Sequence, residues 1–359
     1  MTRTAALLSY RLGGTDGVSV EAGKWEWALQ VLGFSTRRIA GEICGPPRRD
    51  DVALPGFAIR APVGAADERQ LAAALHGADL VAVENLCSLP LNASASFAAS
   101  EALTCHRGRV VFHHHDLPWQ RADLAGVRGL PPDLRGALHI VLNDRSRTEL
   151  GARGITARTI RNRFAFDTPP GDRPRTRAEL GVRDNDVVVL QPTRAIARKN
   201  VPGGLRFGEE LAPLLRKRRV VYWLTGPAED GYGPELTREI AATALPVVFG
   251  RAASAPDAYA AADVVVFPST WEGFGNPVVE SVIARRPLAA RGYPVLEEIL
   301  ASGLRLFDVD RPGEVAAFVD APDRAMLERN VDVARREFSL VDLPGRLDAA
   351  FTAHGWTAW

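Results

Sequence analysis

Cysteine is scarce: Cys44, Cys87 and Cys105 are the only three in 359 residues, without paired spacing. That excludes a disulfide framework and predicts a reducing compartment. Charge of one sign is missing too. Lys and Arg number 44 against 43 Asp and Glu, a formal net charge of +1. The dense basic surface of a typical nucleic-acid binder is therefore excluded. Long apolar runs are absent. Residues 5–10 give way to Arg11 and two glycines, too short a stretch for a signal-peptide core. No later run approaches the ~20 residues of a membrane span. The expectation is a cytoplasmic protein with no nucleic-acid partner and no transmembrane segment, with peripheral membrane contact left open.

What is present is ordinary for a globular chain: 46% hydrophobic and 24% charged residues. At roughly 150 residues per domain the length predicts two domains. Short aliphatic runs at 5–10, 79–83, 109–112, 139–142, 187–190, 220–224, 247–249 and 264–267 alternate with helix-patterned segments. Continuous apolar strands are what a parallel sheet covered on both faces requires. The alternation predicts βαβ units and a doubly wound α/β class. Trp25, Ala28, Leu29 and Leu32 share one helical face, and Gly33 supplies the stop. The Pro- and Gly-rich run 167–174 suits an interdomain hinge, with domains at 1–168 and 175–338. The charge run 216–219 reads as the cationic end of a helix.

Several patterns are decoys. Gly17 to Lys24 is one residue too long for a phosphate-binding P-loop, and Trp25 stands where Ser or Thr is needed. Gly13-Gly14-Thr15-Asp16-Gly17 lacks dinucleotide-fingerprint spacing. Asp308-Val309-Asp310 has the D-x-D form of metal-dependent sugar transferases, but it reads better as a turn before Pro312. His113 and His115 share one strand face, and no third ligand stands at a plausible spacing, so no metal site is expected.

Two segments carry chemistry. In Val264-Val-Val-Phe-Pro-Ser-Thr-Trp-Glu-Gly-Phe-Gly-Asn-Pro-Val-Val-Glu280 a buried strand runs into a glycine loop. Asn276 is placed to cap the next helix, with Pro277 as its first residue. Backbone N–H groups of Gly273, Phe274, Gly275 and Asn276 then form a donor-rich concavity for anions and hydroxyls. Glu272 and Glu280, with seven residues between them, can address two ends of one elongated ligand. The second segment sets Arg194 just past a strand end and Lys199 before a helix opened by Asn200 and Pro202. A planar fork and a point charge beside a helix start suit a diphosphate.

With Pro268-Ser269 these segments resemble the family 4 retaining glycosyltransferases. Gly13-Gly14 before a long helix, His115-Asp116, and Asn162 ahead of the hinge extend the resemblance over nearly the whole chain. It implies the GT-B fold, two Rossmann-like doubly wound domains facing across a cleft, with a C-terminal helix near 340–359 returning to the first. The sequence departs from the family at Asn276, where an aliphatic residue is usual, and in its inserted-looking Thr15-Asp16-Gly17. That loop, Val18-Ser-Val-Glu21 and Leu89-Pro-Leu-Asn92 resemble synthases of glucosylglycerate-type compatible solutes.

The resemblance implies that Arg194 and Lys199 bind the donor diphosphate, Glu280 the ribose, and Glu272 with the 273–276 amides the donor sugar. Gly14 would admit backbone amides to the phosphate, and His115 would lie near the reacting carbon. Expected partners are a nucleotide-diphosphate sugar, GDP- or UDP-hexose, and a small-molecule or glycan acceptor. Glu84, Asn85, Asp116, Trp119 and Arg121 follow strand ends in the first half and are the acceptor-side candidates. Cations replace a metal here, so no cofactor is expected. A nucleotide-sugar epimerase, a non-catalytic nucleotide-sugar binder, and a metal-dependent transferase using Asp308 and Asp310 are the competing readings.

Overall fold

The computed structural model describes residues 3–215 and 217–357. It divides into two compact units: one holds residues up to Arg163 with the segment from Leu340 onward, the other is Phe164–Ser339. In the first, strands β1 (Arg3–Leu12), β2 (Phe34–Ile43), β3 (Val52–Ala53), β4 (Leu80–Glu84), β5 (Arg109–His114), β6 (Leu138–Val141) and β7 (Ala157–Thr159) form one sheet. Its order is β3-β2-β1-β4-β5-β6-β7. Every pair is parallel.

The second unit repeats the plan with β8 (Val187–Gln191), β9 (Val220–Leu224), β10 (Val247–Phe249), β11 (Val264–Phe267), β12 (Leu288–Ala290) and β13 (Phe307–Asp308). Their order is β10-β9-β8-β11-β12-β13, again all parallel. Each sheet reverses its winding once, between β1 and β4 and between β8 and β11. Ligands of open α/β sheets bind outside the strand carboxyl ends at such switch points.

The predicted strands with continuous aliphatic sequence are buried throughout: β4, β8, β9 and β11 have no exposed position. β2 escapes the sequence reading because Arg37, Arg38 and Glu42 interrupt it; Arg38 is accommodated by a buried pair with Asp51 at 2.6 Å. β3, β7, β12 and β13 span only two or three residues each.

The helix Gly17–Val31 is capped by Asp16, whose side chain accepts from the Ser19 amide, and ends at Leu32 before Gly33 at φ +87°. Its Trp25, Ala28 and Leu29 pack with Ala5, Leu80 and Val111 and with Leu343, Leu347 and Phe351 of the C-terminal helix Leu343–Ala353.

In the 167–174 run, the Asp172 amide donates to Asp257 Oδ1 at 2.8 Å, and Arg173 caps the carbonyls of Ala260, Ala261 and Ala262. In the charge run, Arg216 lies outside the described residues. The helix Val201–Leu211 continues only as a 3-10 turn to Leu214. Arg219 instead pairs with Asp186 beside β9. All three cysteines are free. Among the described residues no helix is long and apolar enough to cross a membrane.

Candidate functional site

The second unit gathers its polar residues at the carboxyl ends of adjacent strands β8 and β11. The loop after β8 is pinned to the one after β9: the Ala195 amide donates to Pro227 O and the Glu229 amide to Ala195 O. Gly226 makes this approach possible, because a Cβ there would sit 2.5 Å from Arg194 Cα. Arg194 projects from the loop, about 40% exposed, and pairs with the equally open Glu229 at 2.7 Å. A 3-10 turn, Ala197–Lys199, follows. Asn200, left-handed at φ +51°, caps the helix Val201–Leu211 through the Gly203 amide. Its Nδ2 also donates to Pro268 O at 3.1 Å, and the Thr270 amide donates to Arg198 O at 2.9 Å. The two loops are thus one braced structure.

Lys199 and Glu272 meet across that brace in a buried ion pair. Arg198 donates to Trp271 O at 3.0 Å and to Glu272 Oε2 at 2.9 Å. Burial pushes Lys199 down to about 8; Glu272 opposes the shift, while Arg198 and Arg194 add to it, placing Arg194 within electrostatic reach. Burial works against ionisation of Glu272 too, but Lys199 and Arg198 outweigh it and hold the carboxyl below its ordinary value.

The glycine loop differs by one residue from the sequence expectation. Gly275, at φ +99°, is the N-cap, and Asn276 is the first residue of the helix Asn276–Ile283. A side chain at 275 would also meet Tyr293 Oη at 2.2 Å, so glycine is required there on both grounds. Tyr293 donates to Phe274 O at 3.0 Å. The Phe274 ring stacks on Phe164 and meets Phe338 edge to face, so position 274 offers a ligand only its backbone. Glu280, at the end of the first turn, accepts from Tyr259 Oη at 2.6 Å. Asp308 Oδ1 accepts from the Asp310 amide at 2.9 Å, the turn expected there.

In the first unit, Gly13 takes the positive φ, +76°, against Cys44 O; Gly14 stands beside Asp16 at the start of the helix Gly17–Val31. The expected pair of imidazoles, His113 and His115, acquires a third partner the sequence did not show. Glu84 is in register with His113 on the neighbouring strand. Its Oε2 lies 2.7 Å from His113 Nδ1 and 3.0 Å from His115 Nε2. Among the described residues these three form the group of ligand-type side chains close enough to hold a metal ion, within 4.8 Å of one another. His114 points to the opposite face, between Ser88 Oγ at 2.5 Å and His139 Nδ1 at 2.9 Å.

The acceptor-side candidates separate. Glu84 and Asn85 are buried and hydrogen-bonded within the first unit. Asn85 Oδ1 accepts from the amides of His115 and Asp116 at 3.1 and 3.4 Å. Trp119 donates to Glu149 at 2.8 Å and lies under the Arg153 guanidinium, 3.7 Å from its ring centre, so that ring face is taken. Arg121 pairs with exposed Asp123, and Asp116 stays half-buried at the loop. Sequence reasoning passed over Arg198, Glu229, Tyr259 and Tyr293. Of these, only Arg198 had a signal, its place beside Lys199 at a helix start.

Residues 193–327, which hold this constellation, match the family model for glycosyl transferases group 1. The chain is 26% identical to a mannosylglucosylglycerate synthase of Thermotoga maritima, over 93% of this chain and 96% of that one. It is 24% identical to one of Petrotoga mobilis, over 82% and 84%. Among solved structures, the Anabaena protein HepE with UDP and glucose superposes at a TM-score of 0.72, with 19% identity over 97% of this chain and 99% of that one. A sucrose-phosphate synthase of Thermosynechococcus elongatus gives 0.73, with 14% identity over 99% and 100%. Residues 193–327 form a glycosyl transferases group 1 domain within the second unit, and the chain is a glycosyltransferase with the two Rossmann-like domains of the GT-B fold.

Proposed function

We propose that the protein transfers a hexosyl group from a nucleotide-diphosphate hexose to a hydroxyl of a small anionic acceptor of the glycerate or glycosyl-glycerate type, with retention and without a metal. The observation that carries this reading is the convergence of Arg194, Arg198, Lys199 and Glu272 with the amide-lined start of Asn276–Ile283 at the β8/β11 switch point. The chemical class of the acceptor follows the named activity of the two bacterial relatives.

Leaving of the diphosphate puts negative charge next to the strand ends. Arg194 and Lys199 are assigned to that charge and to its growth in the transition state. The Arg194–Glu229 pair is exposed and contributes at most about 1 kcal/mol, so a diphosphate can replace Glu229 at little cost. Glu280, steadied by Tyr259, is assigned to the ribose hydroxyls. Glu272 and the 273–276 amides are assigned to the sugar, and His115 to the region of the reacting carbon. No protein nucleophile is assigned: retention is attributed to acceptor attack on the face the diphosphate leaves from, with a phosphate oxygen taking the proton.

Differential scanning fluorimetry against UDP-, GDP- and ADP-sugars identifies the donor: at 100 times its dissociation constant a ligand stabilises by about 2.7 kcal/mol. Glycerate and a glycosyl-glycerate are then the acceptors to offer, with NMR of the product's anomeric proton reporting stereochemistry. Undiminished turnover in excess chelator is expected. Loss of turnover with rescue by Mg²⁺ or Mn²⁺ would overturn the metal-free mechanism.

A further inference from the structure

We propose that Glu84 is the positioning residue for His115. It turns the ring so that Nε2–H faces the protein interior and Nδ1 is the nitrogen offered to a bound sugar or acceptor hydroxyl. The inference deepens the assignment of His115 to the reacting region and rests on that assignment for its kinetic consequence only.

Two nitrogens share one carboxylate oxygen here, His113 Nδ1 at 2.7 Å and His115 Nε2 at 3.0 Å. An ionised carboxylate only accepts, so both nitrogens carry hydrogen. A neutral imidazole has one N–H. In the neutral ring of His115 that N–H is committed to Glu84, which leaves Nδ1 with a lone pair and, among the described residues, no protein hydrogen-bond partner. The carboxylate is held from several sides. Glu84 is fully buried at the end of β4, and His113 is stacked on Trp25 with ring centres 4.1 Å apart. Glu84 Oε1 has no hydrogen-bond partner. A buried oxygen left without a donor is costly, and here the whole binding capacity of the group is spent through Oε2 on the two rings.

The backbone repeats the instruction. Asn85, the next residue, sits at φ +61°, a conformation asparagine tolerates better than other side chains. From there its Oδ1 takes the amides of His115 and Asp116, while its own amide donates to His113 O at 3.0 Å. Residues 84 and 85 thus fix both the ring and the loop that carries it. The result is a hydrogen-bond acceptor facing the ligand where a flipped or alternative tautomer would present a donor. In metal centres, outer partners that set an imidazole tautomer cost about 10–100-fold when removed, and a similar dependence is expected here.

The test uses ¹⁵N-histidine-labelled full-length protein with Glu84→Gln and Glu84→Asp, circular dichroism and melting confirming the fold. In the wild type, His115 is expected to show a protonated Nε2 and a lone-pair Nδ1; in Glu84→Gln the two nitrogens should move toward tautomer averaging. With donor and acceptor identified, kcat should fall about 10–100-fold while both KM values stay within about twofold, and Glu84→Asp should recover part of it. Adding His115→Ala to Glu84→Gln should cost little more, because the two act as one unit. Unchanged His115 shifts in both variants overturn the proposal. So does a raised acceptor KM with unchanged kcat, which would make Glu84 a ligand contact. Stoichiometric Zn²⁺ binding lost in Glu84→Gln also overturns it, in favour of a metal site. A protein inert toward every sugar nucleotide sinks the proposed function alone, since the NMR arm still decides the tautomer.

Discussion

Lys199 is a cation kept at the edge of its working range. Burial has lowered its pKa to about 8 against the pull of Glu272. At pH 7 about nine in ten molecules carry the charge, and at pH 9 about one in ten. Because the charged form is assigned to the diphosphate, donor affinity and kcat/KM should both fall as pH rises through about 8, with Glu272 ionised throughout. A pH profile of nucleotide-sugar binding by calorimetry checks this; a flat response from pH 7 to 9.5 removes Lys199 from donor recognition. Arg194 differs, since its guanidinium is charged at every working pH and its pairing with Glu229 is open to solvent. Arg194→Ala should therefore lower kcat by more than it raises the donor dissociation constant, because leaving-group charge peaks in the transition state. Stopped-flow turnover set against calorimetric affinity separates the two effects.

Short connections at strand ends make the site, and they set what could be read without coordinates. Residues 194–200 and 268–280 are each contiguous, so the cationic loop and the glycine loop could be placed from residue types alone. Their mutual brace could not, because Asn200 Nδ2 to Pro268 O joins positions 68 apart. The same limit hid the carboxylate beside His113 and His115: it arrives through the parallel register of β4 with β5, 29 residues away from His113. At the glycine loop, side-chain capping preference pointed to Asn276, while the positive φ and the Tyr293 hydroxyl put Gly275 there. β2 was missed because the partners of its charged residues, Asp51 for Arg38 and Arg11 for Glu42, come from other segments of the chain. Asn200→Ala removes a helix cap, a cross-loop tie and a residue suited to φ +51°. It should cost about 1–2 kcal/mol of stability, read by urea denaturation, and weaken donor binding as well. Unchanged stability would mean the loops hold each other without it.

Taken whole, the chain completes its first unit with its last described residues. Leu343, Leu347, Ala350 and Phe351 are buried in the same cluster as Ala5, Trp25 and Leu80. Phe351→Ala should lower stability by about 3–5 kcal/mol, measured as a shift in denaturant midpoint, as much as truncating a central core residue. A change below about 1 kcal/mol would show the C-terminal helix to be a surface attachment. The same closure has a consequence during synthesis. Residues 164–339 can finish their fold while the ribosome is still working, but the first unit must wait, its apolar β1 and Trp25 face uncovered, until the segment Leu343–Ala353 has been translated. A message cut short before Leu343 would yield a polypeptide with a finished second unit and an unfinished first one, a natural target for chaperones and proteases.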